Sequence, residues 1–220
     1  MGWHRALYLI KASGWRAQTA GMRRLGIAIV GLILVGSAVF FGTTLTRAMW
    51  YDVQVEMPAL AGPAPAALPI DPPSQLVIPT LQIDADIEHI GLVATDRMAT
   101  PRAFKNAGWY RYGPAPGDEG TALISGHLDN GLGLTGVFKR LHELSPGDEI
   151  EVLTEGGRTL RFRVESLTSY PYDDVPPEAL TSVGMRRLVL ITCGGRWIYD
   201  KSQGMTYDRR LIVTTVLDTQ

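Results

Sequence analysis

An uncharged apolar run near the N-terminus constrains this chain more than any other feature of its sequence. The run is LGIAIVGLILVGSAVFFG, residues 25–42, and its continuation to residue 45 gives it the length that crosses a bilayer. The preceding residues 1–24 include basic residues but no acidic one, which is typical of a cytoplasmic flank. The sequence therefore predicts a cytoplasmic leader (1–24), one transmembrane helix (25–45) and an extracytoplasmic remainder.

The alternative interpretation of this run is a cleaved signal peptide. The apolar region of a signal peptide is about 7 to 15 residues long and is followed closely by a small-x-small cleavage site. Here Arg47, Trp50 and Tyr51 follow the run instead, and the two aromatic residues suit the outer membrane interface. We therefore interpret the run as the uncleaved anchor of a single-pass cell-membrane protein.

A segment rich in Pro and Ala, residues 46–74, separates the apolar run from the rest of the chain. This composition favours extended backbone that cannot pack a core, so the segment is predicted to be a stalk. Residues 75–220 contain short apolar runs separated by turn residues, which predicts one mostly β domain, a small sandwich or barrel. The near-neutral net charge of −1 gives no broad basic surface for nucleic acid.

Several elements of this domain can be predicted individually. Apolar residues at 160, 162 and 164 alternate with charged ones, which predicts a hairpin of residues 149–153 and 159–167 with one solvated face. The segment GVFKRLHEL, residues 136–144, predicts a short helix, and a second helical turn is expected to begin at Pro176. Branched residues predict two further strands, at 188–192 and 211–217.

Cys193 is the single cysteine of the chain, so neither an intrachain disulfide nor a Cys-rich metal site can form. It lies where the predicted strand RRLVLITCGG ends, and Gly194 and Gly195 after it allow a sharp turn and a close approach of substrate. A thiol is nucleophilic as the thiolate, which requires a neighbouring base or cation. The alternative is a buried cysteine with no chemical role.

The sequence offers one candidate base and two candidate cations. His127 follows an apolar strand in TALISGHLDNG, with a solvated turn histidine as the alternative, and Asp129 is interpreted as a turn residue that could orient this segment. Arg209 and Arg210 begin the last predicted strand, and an arginine there could stabilise an oxyanion. Because strand side chains alternate, only one of the two faces a given side, and the sequence leaves the choice open.

The order of the motifs SGHLD, LVLITCGG and YDRRLIVTT resembles that of the sortase family. VIPTLQIDADI is similar to the opening strand of that family, AGWYRYGPAPGDEGTALISGH to the stretch before its histidine, and VFKRLHELSPGDEIEV to the helix and strand that follow. The resemblance covers residues 76–216. GWYRYGPAPGDEG and the TCGG ending are most similar to class F, with class E as the alternative.

The resemblance implies an eight-stranded β-barrel of the sortase type with short helices, and a cysteine transpeptidase that uses no metal or organic cofactor. It implies Cys193, His127 and Arg209 as catalytic residues, and Thr192 and Arg210 as substrate-binding residues. The implied substrates are surface proteins with a C-terminal LPxTG-like signal. Their acyl chain would pass from a Cys thioester to an amine of a cell-wall precursor or a pilin.

Two other functions are weighed against this one. An extracytoplasmic cysteine peptidase or amidase would use the same Cys193 and His127, but water would be its only acceptor. A silent membrane-anchored module that binds wall polymer or a partner would have a thiol no more reactive than a free model thiol. Product analysis with an added amine separates the first from a transpeptidase, and thiol labelling separates the second.

Overall fold

The computed structural model describes residues 32–37, 39, 55–56, 71–94, 97–130, 133–181, 184–201 and 204–218. The chain divides into two compact units, Met1–Trp50 and Tyr51–Gln220. In the first unit, residues 32–37 are α-helical and exposed. Within the described part of the chain, no helix combines the length and the apolar character that a membrane span requires. The leader, most of the predicted span 25–45 and most of the stalk lie outside the described residues, so these assignments stay predictions.

The second unit consists of short strands with brief helical turns between them. Its described elements are the strands β1 (Val55–Glu56), β2 (Pro73–Ile78), β3 (Ile83–Ile90), β4 (Leu92–Ala94), β5 (Arg97–Met98), β6 (Ala107–Tyr110), β7 (Gly120–Gly126), β8 (Glu149–Thr154), β9 (Thr159–Pro171), β10 (Arg186–Asp200) and β11 (Gly204–Leu217), the 3-10 helices η1 (Pro79–Leu81) and η2 (Leu141–Glu143), and the α-helix α1 (Pro177–Leu180).

Eight of the described strands close into a barrel in the order β10-β11-β9-β8-β2-β3-β6-β7, and β7 returns to β10. Neighbouring strands are antiparallel except for the pairs β3–β6 and β7–β10, which are parallel. The strands β1, β4 and β5 form a separate three-stranded sheet, in which Val55 of the predicted stalk pairs with Met98. The prediction of an eight-stranded, mostly β fold is confirmed.

The barrel interior follows from the alternation of side chains along its strands. The predicted hairpin is present as β8 and β9: Phe162 and Val164 are buried, whereas Arg161 and Arg163 project into solvent. The exposed arginines form ion pairs that contribute little to stability, such as Arg161 with Glu151 at 3.0 Å. The interior is filled by the apolar residues Leu76, Ile78, Trp109, Ile124, Phe138, Ile150, Val152, Leu188, Leu190 and Val213, among others.

A second apolar cluster lies on the outer face of the wall formed by β7, β10 and β11. Leu123, Val189, Ile191 and Ile212 of these strands pack there against residues of other elements, including Leu180 of α1. Since β7 and β10 are buried on both faces, their sequences are continuous apolar runs instead of alternating ones. The outer cluster therefore shields this face of β7, β10 and β11 from solvent.

The segment 136–144 differs from its prediction, because it forms turns and the 3-10 helix η2 instead of an α-helix. Its backbone bonds run from residue i to i+3, as in Leu141 N–H to the Phe138 carbonyl at 3.1 Å. The backbone N–H of Phe138 donates to the carbonyl of His127 at 2.9 Å. Tertiary contacts of this segment with the residues around His127 thus replace the regular helix that local propensity favours.

Candidate active site

Cys193 lies on β10 directly before Gly194, the last residue before the pairing with β11 becomes irregular. Its side chain is 2 % exposed, and the register between β10 and β11 shifts between Gly194 and Trp197. Gly195 has a φ of +82°, and a Cβ atom there would lie 2.1 Å from the Asp208 carboxylate. Only glycine satisfies both conditions, so Gly195 allows a bulge that ends the regular ladder close to the thiol.

The strand register brings three functional side chains to one end of the wall. In the parallel pairing of β10 with β7, Ile191 is opposite Ser125, and Cys193 and His127 each follow two residues later. In the antiparallel pairing with β11, Cys193 is directly opposite Arg210. Directly opposed residues project from the same face of a sheet. The thiol and the guanidinium therefore lie side by side on the outer face, with His127 at the end of the neighbouring strand.

The two adjacent arginines of β11 have opposite environments. Arg210 is fully buried, and its Nη1 donates to the carbonyl oxygens of Tyr207 and Arg209, each at 3.0 Å. Its guanidinium also lies 5.6 Å from the ring centre of Tyr172. Arg209 is exposed, and its Nη1 donates to the Ser169 carbonyl at 3.4 Å. The structure thus brings Arg210 to the thiol, in the position that the sequence analysis gave to Arg209.

His127 is held between a carbonyl oxygen and an aromatic ring. Its side chain is 3 % exposed, its Nε2 is 2.8 Å from the Pro101 carbonyl, and the ring of Phe104 stacks on it at 4.2 Å. Because a carbonyl oxygen only accepts hydrogen bonds, Nε2 carries the proton of this bond. In the neutral imidazole Nδ1 is then the basic nitrogen, so the fixed ring can accept and return one proton.

Thr192 has a structural position and does not line the outer face. Its side chain is fully buried, and its hydroxyl donates to the carbonyl of Gly126 at 2.9 Å. Thr192 alternates with Cys193 and therefore faces the barrel interior, as Leu190 does. Its hydroxyl thus joins β10 to the residue immediately before His127, and the substrate-binding role of Thr192 stays a prediction.

The loop after His127 is folded back tightly on that residue. A Cβ atom on Gly136 would lie 2.0 Å from the carbonyl oxygen of His127, so any larger residue there would displace the backbone. Asp129 and Thr135 form an isolated bridge within the loop, and Gly136 N–H donates to the Leu128 carbonyl at 2.8 Å. The close packing of Gly136 against the His127 backbone therefore restricts the position of His127.

The pKa of the Cys193 thiol reflects opposing influences. Burial is the largest and raises the pKa, because it disfavours the charged thiolate. The positive charge of Arg210 and a hydrogen bond from the backbone N–H of Tyr207 lower it, and the negative charge of Asp129 raises it. The net effect is a raised pKa, so the thiol is mostly protonated at neutral pH and needs a base such as His127 to become nucleophilic.

Sequence reasoning missed two residues of this site, Tyr207 and Phe104. Tyr207 begins the motif YDRRLIVTT but has no role assigned there, and Phe104 lies outside the three motifs. Each contacts the site through folding: Tyr207 through the bulge beside Cys193, Phe104 through its stacking on His127. Among the residues that the structure describes, no group of three or more His, Cys, Asp or Glu side chains could hold a metal ion. The arrangement itself comprises a buried thiol, a fixed imidazole and a buried guanidinium, which suits acyl transfer.

Comparison with known proteins agrees with this geometry. A family model described as Sortase domain matches residues 76–218. The chain is similar to the crystal structure of sortase C-1 from Actinomyces oris, formerly Actinomyces naeslundii, with 26% identity over 69% of this chain and 76% of that chain and a TM-score of 0.50. Sortase A from Corynebacterium diphtheriae, at 22% identity, 70% and 63% coverage and a TM-score of 0.50, supports the fold alone. A search of curated proteins found no match.

The two arginines can be distinguished without any substrate. Replacing Arg210 by Gln removes a positive charge beside the thiol, so the pKa of Cys193 should rise and its alkylation by iodoacetamide should require a higher pH. Arg209→Gln is the matched control and should leave the pH profile unchanged, because Arg209 is exposed. Alkylation is followed by mass spectrometry of the 220-residue chain. A shift in the Arg209 variant and none in the Arg210 variant would contradict the geometry.

The structural role of Thr192 predicts a stability cost. Thr192→Val keeps the side-chain shape but leaves the buried Gly126 carbonyl without its hydroxyl donor, which should cost about 1–3 kcal/mol. Thr181→Val is the control, because the Thr181 hydroxyl also donates to a carbonyl but is exposed, and water can replace it; its cost should stay within about 0.5 kcal/mol. Urea unfolding measures both, and equal stabilities of the two variants would refute the assignment.

Proposed function

The chain belongs to the sortase family of cysteine transpeptidases, and we propose that it cleaves an LPxTG-like sorting signal with Cys193, His127 and Arg210 as its catalytic residues. One observation carries the assignment of the residues: Arg210 is opposite Cys193 in the ladder, and His127 directly follows β7, the parallel neighbour of the same strand. Thr192 and Arg209 are left without a catalytic or substrate-binding role in this proposal.

In the acylation step the Cys193 sulfur attacks the carbonyl carbon of the Thr residue in the signal. His127 accepts the thiol proton, and a tetrahedral intermediate with a negatively charged oxygen forms. The bond between this carbonyl carbon and the following nitrogen then breaks. The leaving amine receives the proton from His127, and the substrate remains attached to Cys193 as a thioester.

Arg210 is the residue that we propose for stabilisation of the oxyanion. Its charge is permanent, and two backbone carbonyl oxygens hold the guanidinium in place, so little reorganisation is needed when the negative charge develops. The interaction is stronger in a buried site than in water, because the effective dielectric constant is lower. Arg209 lacks this advantage, since its side chain is exposed.

In the second step an amine attacks the thioester, and His127 takes up its proton. We propose that this amine belongs to a cell-wall precursor or to a pilin, so that the products are proteins attached to the wall or joined to one another. Water can replace the amine and gives hydrolysis, which is the outcome expected of a cysteine peptidase or amidase. The stretch GWYRYGPAPGDEG and the TCGG ending support assignment to class F, with class E as the alternative.

We also propose that the enzyme is anchored in the cell membrane by residues 25–45, with residues 1–24 in the cytoplasm and the barrel outside. The support is the uncharged apolar run and the basic residues that precede it, because positive charge is retained on the cytoplasmic side. A Pro/Ala-rich stalk would then hold the barrel at a distance from the lipid surface.

The catalytic proposal predicts a covalent intermediate. The 220-residue chain, incubated with peptides of several LPxTG-like signal variants and an amine, should give a thioacyl adduct on Cys193 and an amine-linked product, both detected by mass spectrometry. Cys193→Ala should give neither. Arg210→Gln should lower turnover by about a hundredfold or more, while Arg209→Gln should stay close to wild type. Hydrolysis without amine transfer would favour the peptidase, and absence of any adduct would reject both.

The anchoring proposal predicts fractionation with membranes. In intact cells the full chain should resist extraction with sodium carbonate, and protease added outside should degrade the barrel but not an epitope tag on the N-terminus. A variant that begins at residue 46 behind a cleavable secretion signal is the control and should be released as a soluble protein. Carbonate extraction of the full chain, or protection of the barrel from outside protease, would contradict the proposed topology.

A further inference from the structure

Tyr207 contacts each of the parts from which the site is assembled. It lies on β11, opposite Trp197 at the point where the bulge beside the thiol ends, and its ring packs edge-on against that tryptophan at 4.7 Å. Its backbone N–H is hydrogen-bonded to the sulfur of Cys193, and its backbone carbonyl accepts the bond from Arg210 Nη1 at 3.0 Å. The backbone of this one residue therefore holds both the nucleophile and the buried cation.

The hydroxyl of Tyr207 makes a third connection, to the loop that follows His127. It donates to Oδ1 of Asp129, while Nζ of Lys139 is bonded to Oδ2 of the same carboxylate. Burial and the bond to Asp129 raise the pKa of the Tyr207 hydroxyl, so it remains a proton donor throughout the neutral range. Asp129 is two residues from His127 along the chain, and its side chain is only 13% exposed.

We propose that Tyr207 and Asp129 are a pair of positioning residues, whose hydrogen bond fastens the His127 loop to the strand that holds Cys193 and Arg210. The inference rests on the proposed catalytic roles of these three residues. Without the bond, the loop would keep its packing against Gly136 but lose its direct link to β11. The distance between imidazole and thiol would then vary, and small displacements of reacting groups have large effects on rate.

The position of Asp129 has a second consequence, which is electrostatic. The groups that act on the thiol are Arg210 and the Tyr207 backbone N–H, which favour the thiolate, and Asp129, which disfavours it. His127, at the end of the adjacent strand, is a further titratable group beside them. Asp129 thus stabilises the neutral thiol while its hydrogen bond orders the loop, and the two effects can be separated by mutation.

The test uses two variants that each remove one half of the bond. Tyr207→Phe removes only the hydroxyl and keeps the ring that packs on Trp197, and Asp129→Ala removes the acceptor carboxylate. A further variant, Asp129→Asn, removes the charge but keeps an oxygen that can accept the bond. Two controls match them: Tyr199→Phe on the same hairpin, whose side chain is 72% exposed, and Asp86→Asn on the exposed face of β3. All variants, and the double variant, are made in the 220-residue chain.

The expected result is a loss of turnover of about tenfold in Tyr207→Phe and in Asp129→Ala, the two variants that are combined in the double variant, with KM for the signal peptide nearly unchanged. The double variant should lose no more than the worse single variant, because both remove the same interaction. The controls should retain wild-type turnover. Wild-type turnover in Tyr207→Phe, or additive losses in the double variant, would overturn the proposal. A residue with a structural role alone would lower the unfolding temperature and leave turnover intact below it.

A second measurement does not depend on the substrate. The pH profile for alkylation of Cys193 should move to lower pH in Asp129→Asn, because a negative charge near the thiolate has been removed. Asp86→Asn should not move it. If no signal peptide is turned over by the wild-type chain, the proposed substrate fails, and this profile still tests the contact. An unchanged profile in Asp129→Asn would overturn the placement of Asp129 beside the thiol.

Discussion

The position of β10 between a parallel and an antiparallel neighbour is the constraint on which the site depends. Its pairing with β7 sets the end of β7 level with Cys193, and its pairing with β11 sets Arg210 directly across from the thiol. A shift of one residue in either register would turn one of these side chains to the opposite face. Buried hydroxyls reinforce this register, since Thr192 donates to the Gly126 carbonyl and Thr215 to the Leu188 carbonyl.

Burial then determines the chemistry of the side chains that the strand register brings together, Cys193 and Arg210. A buried thiol resists ionisation, and a buried guanidinium is costly unless its donors are satisfied. Here backbone carbonyls of β11 accept from Arg210, and the same charge partly offsets the effect of burial on the Cys193 thiol. A low-dielectric site with a fixed cation is well suited to a reaction in which negative charge appears transiently on oxygen. The energetic cost of these buried polar groups is thus linked to their function.

The sequence carried much of this information, because several signals were local. The alternation around Phe162 predicted the hairpin, and apolar strands that end in glycine identified Cys193 and His127 as candidates. The segment 136–144 was predicted as a helix and formed turns, because its backbone packs against the residues around His127, which are adjacent only in the fold. The apolar run at 25–45 is also a local signal, and it predicts a membrane anchor; this role stays a prediction.

The sequence by itself determined the fold class and the family and named Cys193 and His127 as candidate nucleophile and base, because these inferences depend on side-chain period, turn residues and motif order. The tertiary structure decided which of Arg209 and Arg210 lies beside Cys193. Alternation shows that one of two adjacent residues on β11 faces the thiol, but which one depends on the register between β11 and β10. These strands begin 18 residues apart in the chain, at Gly204 and Arg186. Tyr207 became visible only in the structure for the same reason: a bulge on β10 brings its backbone and hydroxyl to groups that are distant in sequence.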